Sequence, residues 1–332
     1  MKAVVCPGKE LPLQVQEVAM PAAGPGEVVV AIKAAAFNHR DWWIRQGQYA
    51  NLRYPVVLGS DGSGIVYEVG EHVSIDWLGR EVVMNPGMNW GDSPEYHSRE
   101  FKMLGLPDDG CFARYVKVPA STLFPKPTYL SYEEAAAIPL AGLTGYRALF
   151  TKGNLKPGDH VLLTGIGGGV ALLMLQMAVA IGAKVYVTSG DDAKIEKAQK
   201  LGASGGVNYK TEGWHKLLQA FTEGFDLIVD SAAGDGFRNF IDLARPGARI
   251  VFFGGTQGAI TNLNPQKIFW KQLQIKGTTM GTPEEFEAML QLFDRYHIHP
   301  VIDKVYSMEE ADTAIHKMEN ASQFGKIIMR IE

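Results

Sequence analysis

GDHVLLTGIGGGVALLMLQMAVAIGAKVYVTSGDDAK, residues 158–194, decides how the rest of the chain reads. Residues 160–164 are short, apolar and partly β-branched, and Pro157-Gly158 makes a turn before them, so they read as a buried strand. Glycines at 165, 167, 168 and 169 follow at once. Residues 170–181 are apolar all round, as in a helix buried against a sheet, and Gly182 ends it. Residues 184–188 are a second apolar run of strand type. Strand, turn, helix and strand make a βαβ unit, whose right-handed crossover puts the turn at the carboxyl end of a sheet. Glycine there opens backbone angles closed to other residues and lets the chain approach a pyrophosphate closely. Free N–H groups at the helix start then face its charge. A glycine triplet alone also serves a structural turn, but the flanking strand and helix select dinucleotide binding at Gly165, Gly167, Gly168, Gly169 and Val170. This is the core of a Rossmann domain.

The end of the second strand addresses the adenosine ribose. A site for NAD puts Asp or Glu there to accept from both ribose hydroxyls. In Thr188-Ser189-Gly190-Asp191 the residue best placed is Ser189, which carries no charge to repel a 2′-phosphate. Lys194, one helical turn on, offers a point charge to that phosphate, and Tyr209 a hydroxyl from the next strand end. The plainer readings are a solvated helix lysine and an edge tyrosine. Asp191 or Asp192 is an alternative ribose acceptor, although both also suit capping of the helix. The balance favours NADP(H) over NAD(H).

At 332 residues, with 46% hydrophobic and 20% charged residues, the chain is a soluble globular type with room for two domains. A net charge of −4 argues against binding nucleic acid through phosphate neutralisation. No uninterrupted apolar run is long enough to span a membrane, and the start MKAVVCPGKE lacks a signal-peptide core. Two cysteines, Cys6 and Cys111, cannot build a disulfide framework and point to a reducing compartment, by default the cytoplasm.

Residues 1–122 are β-rich, with strand candidates at 27–33, 64–69, 81–84 and 112–118 and a short helix at 39–45. After Pro127 the character changes. Ser131 and Glu134 form a capping-box pattern, Pro139 interrupts, and a helical stretch at 143–150 leads into the βαβ unit. Helices at 191–201, 213–221 and 236–243 then alternate with strands at 225–230, 249–254 and 273–279, the signature of an open parallel sheet. Thr282-Pro283-Glu284-Glu285 opens a helix through Tyr296, and 301–306, 309–319 and 326–331 close the chain as strand, helix and strand.

With these residues placed, the chain resembles a medium-chain dehydrogenase/reductase, specifically the zinc-independent quinone oxidoreductase branch. The likeness rests on Pro25-Gly26-Glu27-Val28, on Asn38-His39-Arg40-Asp41 with Arg45, Gly47 and Tyr49, and on Gly59-Ser60-Asp61-Gly62-Ser63-Gly64. It continues through Leu143-Thr144-Gly145-Tyr146, the glycine turn and Phe324-Gly325-Lys326-Ile327. It implies an α/β chain of two domains. Residues 1–122, completed by 280–332, would form a GroES-like catalytic domain, and 123–279 a doubly wound Rossmann domain for NADP(H). The strand near 273–279 would pair across a homodimer. Thr144 would contact the nicotinamide side, and Gly254, Gly255 and Lys326 would border the cofactor.

Zinc alcohol dehydrogenases of the superfamily hold their catalytic metal at positions that align with Asn38, Ser60 and Leu140, none of which supplies thiolate, imidazole or carboxylate. Residues 84–110 lack the four cysteines of the structural-zinc lobe and read as an ordered loop that shapes either a pocket or a subunit contact. His39, Asp41 and Asp61, or His297 and His299, are weaker metal candidates, and no zinc is expected. Hydride delivery to an activated double bond is then the easier reaction, with a small electrophilic quinone, enone or alkenal as substrate. Asn38 and Tyr49 are candidate donors to the developing enolate, and Arg45 a candidate charge. Asn38 could equally brace its loop, Tyr49 could be a core-edge aromatic, and Arg45 could be structural. Asp41 suits fixing backbone groups rather than transferring protons.

Overall fold

The computed structural model describes residues 1–332 and divides into two compact units, residues 1–141 with 281–332 and residues 142–280. The second unit is a six-stranded parallel sheet. In space its strands run Gly205–Asn208, Lys184–Ser189, His160–Leu163, Phe225–Asp230, Ala244–Phe252 and Gln274–Gly277. Numbered along the chain within this unit, that order is 3-2-1-4-5-6, the doubly wound arrangement with a switch point between the first and fourth strands. The central strands are apolar through their middles because both faces are covered: Val161, Leu162, Leu163, Leu227, Ile228 and Val229 are all 0% exposed.

The helix Gly169–Ala180 is equally apolar and buries Leu172, Leu173, Leu175 and Met177. Asp191 caps the next helix, Asp192–Lys200, by accepting from the Ala193 N–H at 3.0 Å. Pro139, read from sequence as an interruption, instead opens the helix Pro139–Tyr146, which continues as a π-helical stretch, Arg147–Lys152.

The first unit is built on the ten-residue strand Glu27–Ala36, which pairs antiparallel with Asp61–Val69, Tyr115–Pro119 and Lys326–Arg330. One face carries Val28, Val30 and Ile32 into a core with Val66, Val82, Met84 and Val116. The other presents the small side chains of Ala34 and Ala36 to Ala136 and Ala137, beside the helix Tyr132–Ala136. That packing moves the sequence-based boundary. Leu123–Pro125 pairs with Glu81–Met84, and Tyr132–Ala136 packs on the strands Glu27–Ala36 and Asp61–Val69, so residues 123–141 belong to the first unit rather than the second. The tail returns to the same unit, because Lys326–Arg330 inserts between Glu27–Ala36 and Ile302–Tyr306.

Residues 84–110 are ordered by a small three-stranded sheet, Gly87–Met88, Lys102–Leu104 and Pro107–Asp108. Trp90, 5% exposed, meets Phe101 edge-on at 5.4 Å and His97 at 5.8 Å, and His97 stacks on Phe101 at 4.8 Å. An aromatic cluster thus holds this lobe, which contains no cysteine. No helix of the chain is long and apolar enough to cross a membrane.

Candidate active site

The glycine turn occupies the carboxyl end of the His160–Leu163 strand. Gly165 (φ 67°) and Gly167 (φ 116°) take left-handed angles that a side chain would oppose, and Gly168 caps the helix that begins at Gly169 with Val170 in its first turn. Backbone bonds pin the turn from two sides: Thr164 N–H donates to Val229 O at 3.1 Å and Ile166 N–H to Thr188 O at 2.8 Å. Across the switch point lies the loop after Asp230. Its carboxylate accepts from the Thr164 hydroxyl at 2.7 Å and the Ala233 N–H at 2.6 Å, and burial raises its pKa. Gly254 closes on this loop so tightly that a Cβ there would stand 2.3 Å from the Ser231 carbonyl oxygen, whereas Gly255 faces open space. Ser231, which no sequence motif flags, therefore lies between the glycine turn and Gly254. Thr144, 7% exposed, places its hydroxyl 3.8 Å from the Met280 sulfur.

At the neighbouring strand end Ser189 is buried, and its oxygen accepts from the Asp191 N–H at 3.2 Å. Both acids here are engaged in local structure: Asp191 caps its helix, and Asp192 accepts from the Asn208 amide at 3.1 Å. Tyr209 is 48% exposed, and its hydroxyl lies 2.7 Å from where a Cβ on Gly190 would be, beside the Lys210 stem at 2.9 Å. Ser189, Tyr209 and the lysine that sequence reading passed over, Lys210, therefore converge at Gly190. Lys194 sits on the first turns of the adjoining helix and is half-buried.

In the first unit the turn Phe37-Asn38 leads into the helix His39–Arg45. Asp41 locks this entry: its carboxylate accepts from the Asn38 N–H at 2.8 Å. Asp41 is fully buried, and desolvation pushes its pKa up to about 6 against the opposing charge of Arg40. The Asn38 side chain is held at both ends. Its Nδ2 donates to Asp61 Oδ2 at 2.9 Å, and its Oδ1 accepts from Lys326 Nζ at 2.6 Å. Lys326 Nζ also donates to Phe37 O at 2.9 Å and to Asp61 Oδ2 at 3.1 Å, and Asp61 Oδ1 accepts from the Leu140 N–H at 2.8 Å. All three side chains are buried, Asn38 at 7%, Asp61 at 0% and Lys326 at 4% exposure.

Two of the expected site residues have partners that the sequence did not reveal. Lys326, expected at the cofactor, has three acceptors for its three N–H bonds inside this network. Arg45, expected to lend charge to the reaction, instead donates to Leu11 O at 3.0 Å and pairs with Asp312 at 3.4 Å and His316 at 3.3 Å on the helix Ala311–Glu319. Arg40 takes the place beside the site that Arg45 was given. It donates to Ser60 Oγ at 2.5 Å, to Leu104 O at 2.7 Å and to Leu106 O at 3.3 Å, and so ties residues 84–110 to the Ser60-Asp61 strand start. Its Nε reaches the Tyr49 hydroxyl at 3.4 Å, and its guanidinium lies over that ring at 5.2 Å. The signal available in sequence was the carboxylate of Asp61 ahead of the small and apolar run Gly62-Ser63-Gly64-Ile65-Val66, since a buried charge requires a cation. No three His, Cys, Asp or Glu side chains gather in a set able to hold a metal.

A parallel sheet of order 3-2-1-4-5-6 with a glycine turn, in a chain whose other unit is a mainly antiparallel sheet completed by the tail strands, is the architecture of a class of two-unit oxidoreductases. Residues 24–128 match the alcohol dehydrogenase GroES-like domain, and residues 169–295 the zinc-binding dehydrogenase domain. A zinc-type alcohol dehydrogenase-like protein of Leptosphaeria maculans is 36% identical over 96% of this chain and 95% of its own length. An acryloyl-coenzyme A reductase of Sulfurisphaera tokodaii is 30% identical over 99% of this chain and 100% of its own. The crystal structure of an NAD-dependent alcohol dehydrogenase superposes with a TM-score of 0.94 at 36% identity, covering 100% of both chains. The chain belongs to the medium-chain dehydrogenase/reductase superfamily.

Proposed function

We propose that the protein is an NADPH-dependent reductase of the quinone oxidoreductase type, which reduces the activated double bond of a quinone, enone or alkenal without a metal. The observation that carries this reading is the Asn38–Asp61–Lys326 network. The positions aligned with zinc ligands hold an amide, a hydroxyl and an apolar side chain, and an ammonium group fills the polar space between Asn38 and Asp61. Zinc selects thiolate, imidazole and carboxylate donors, so this set does not fit it. The relative from Sulfurisphaera tokodaii, named for reduction of an acryloyl thioester, supports an alkene conjugated to a carbonyl as the substrate class.

Bound at the glycine turn, the coenzyme would supply hydride to the β-carbon. The chain's own part is to hold the carbonyl oxygen as it gains negative charge, through the Asn38 amide N–H and the Tyr49 hydroxyl. Protonation of the α-carbon can come from solvent. Preference for the phosphorylated coenzyme is supported by neutral Ser189, by the engagement of Asp191 and Asp192 elsewhere, and by Tyr209 and Lys194 beside the same strand ends. K194A should lose preference for NADPH over NADH. Unchanged relative affinities would remove Lys194 from the assignment.

The subunit contact is proposed at the outer edge of Gln274–Gly277, the last strand of its sheet, together with the end of the preceding helix, Pro265–Trp270, where Phe269 and Trp270 are 64% and 83% exposed. Light scattering should return a dimer mass that W270E lowers to a monomer. A cytoplasmic location is in keeping with two buried, free thiols.

A second reading, a zinc-type alcohol dehydrogenase with atypical ligands, is favoured by the names of several relatives. Metal analysis of the purified protein separates the two, since one bound zinc per chain would sink the metal-free mechanism. NADPH consumption with a panel of quinones, enones and alkenals tests the rest. No reduction above background alongside retained NADPH binding would leave a coenzyme-binding protein rather than an enzyme.

A further inference from the structure

We infer that Lys326 and Asp61 are positioning residues that fix the amide of Asn38 in one orientation, and that Lys326 serves this amide rather than the coenzyme. The inference rests on the proposed reductase reading for its kinetic part, and on the geometry alone for the role of Lys326.

Donor and acceptor capacity fixes the orientation of this amide. An asparagine amide has a carbonyl oxygen and two N–H bonds, and a flip about its last torsion exchanges them. An ammonium group can only donate, and an ionised carboxylate can only accept. With Lys326 Nζ 2.6 Å from Oδ1 and Asp61 Oδ2 2.9 Å from Nδ2, the flipped amide would set donor against donor and acceptor against acceptor. One orientation survives. The Asp61 carboxylate is itself fixed by the Leu140 N–H at 2.8 Å, and Lys326 by the Phe37 carbonyl at 2.9 Å, so neither can turn to accommodate a flip. One Nδ2–H is consumed by Asp61, and the other is left as the only side-chain donor Asn38 can offer a substrate oxygen. That donor is aimed before the substrate arrives, which is what stabilising a developing enolate requires.

Residues 38, 61 and 326 are far apart in sequence, and the strand pairing of Lys326–Arg330 with Glu27–Ala36, beside Asp61–Val69, brings them together. Lys326 has no donor left over for a coenzyme phosphate in this arrangement. A coenzyme role and a positioning role therefore predict different consequences of removing it.

The experiment compares wild type, N38A, K326M and the combination N38A/K326M. NADPH affinity is measured by fluorescence titration, and kcat with an enone. Removing Lys326 alone strands the Asp61 carboxylate in the core, so K326M/D61N, which removes both charges together, is made alongside, with N38A/K326M/D61N as its combination. If Lys326 positions Asn38, kcat falls at least about tenfold in N38A and in the lysine variants, as for loss of an oriented oxyanion donor. The combinations lose no more than the single changes, and the Kd for NADPH stays within about twofold throughout. A Kd that rises tenfold or more on removing Lys326, or losses in kcat that multiply, would overturn the inference. If the wild-type protein reduces no enone, it is the reductase reading that has failed, and the Kd comparison still decides whether Lys326 belongs to the coenzyme.

Discussion

The coenzyme turn and the Asn38 network solve opposite problems with opposite materials. The turn is made of backbone: glycines at positive φ, a helix that starts at Gly169, and a Gly254 that nearly touches the Ser231 carbonyl. The network is made of side chains, with Asn38, Asp61 and Lys326 each buried and each bonded to the other two. A site of the first kind is damaged by adding atoms, and a site of the second kind by removing them. The difference follows from what each must hold. A pyrophosphate is met by N–H groups that any residue carries, provided nothing stands in front of them. A localised charge on one oxygen, the task proposed for Asn38, needs a donor of fixed direction, and here that donor is a side chain held by two others.

The largest effect should come from adding atoms where the backbone packs closest beside the turn. In G254V the new Cβ would fall 2.3 Å from the Ser231 carbonyl oxygen, an atom of the backbone that cannot swing aside. The strand end and the Asp230–Gly234 loop must then part. NADPH affinity should drop by about a hundredfold or more, equivalent to about 3 kcal/mol at 1.4 kcal/mol per factor of ten. Fluorescence titration reads this directly. Unchanged affinity would mean that the close approach at Gly254 is packing alone, and the contrast between the two regions would lose one side.

A smaller effect tests the boundary of the network. Arg45 shares a helix with Arg40 and is 4% exposed, yet its bonds run to Leu11 and to the Ala311–Glu319 helix. R45A should cost about 2 kcal/mol of stability, the usual scale for charge-assisted bonds lost from a buried arginine, with kcat within about twofold of wild type. Denaturant unfolding and enone turnover measure the two quantities. A collapse of kcat in a stable R45A protein would return Arg45 to the chemistry.

How much of this could be read in the chain depends on the material. The glycine turn was legible because a backbone-built site must be contiguous: strand, glycines and helix follow one another between 158 and 182. The cap of Thr282 and Glu285 and the helix Pro283–Tyr296 were legible for the same reason. The network was not. Asn38 and Lys326 could each be singled out, but their meeting depends on a parallel pairing of the last strand with Ile302–Tyr306 and an antiparallel one with Glu27–Ala36. Arg40 and Arg45 could not be told apart by position, since five residues along a helix send two side chains to different neighbours. The boundary at 141 was hidden because Leu123–Pro125 is too short to announce itself as a strand.

The smallest effect sharpens the comparison from inside the network's support. Asp41 holds the Asn38 N–H but is fully buried, and one of its oxygens, Oδ1, has no partner. Its pKa in the folded protein is pushed up to about 6, above the value of about 3.9 for an unfolded chain. The folded state therefore favours the protonated form. Whatever stability Asp41 gives is fully present below pH of about 4 and is lost as pH rises through about 6. D41N keeps an acceptor for the Asn38 N–H and does not titrate, so the gap between variant and wild type isolates this one group. Near pH 4 wild type should be the more stable by the cost of placing the amide; the balance should move towards D41N up to about pH 6 and level off above. Moving the carboxyl pKa from about 3.9 to about 6 is worth on the order of 3 kcal/mol above pH 6, but the buried amide of Asn would leave N–H bonds unpaired where Oδ1 now stands at every pH. A net gap of about 1–2 kcal/mol at pH 7 is expected from thermal or denaturant unfolding across this range. A gap that does not change between pH 4 and 7 would show that Asp41 is ionised throughout. Arg40 would then dominate its environment, and the entry to Asn38 would be an ion pair rather than a desolvated cap.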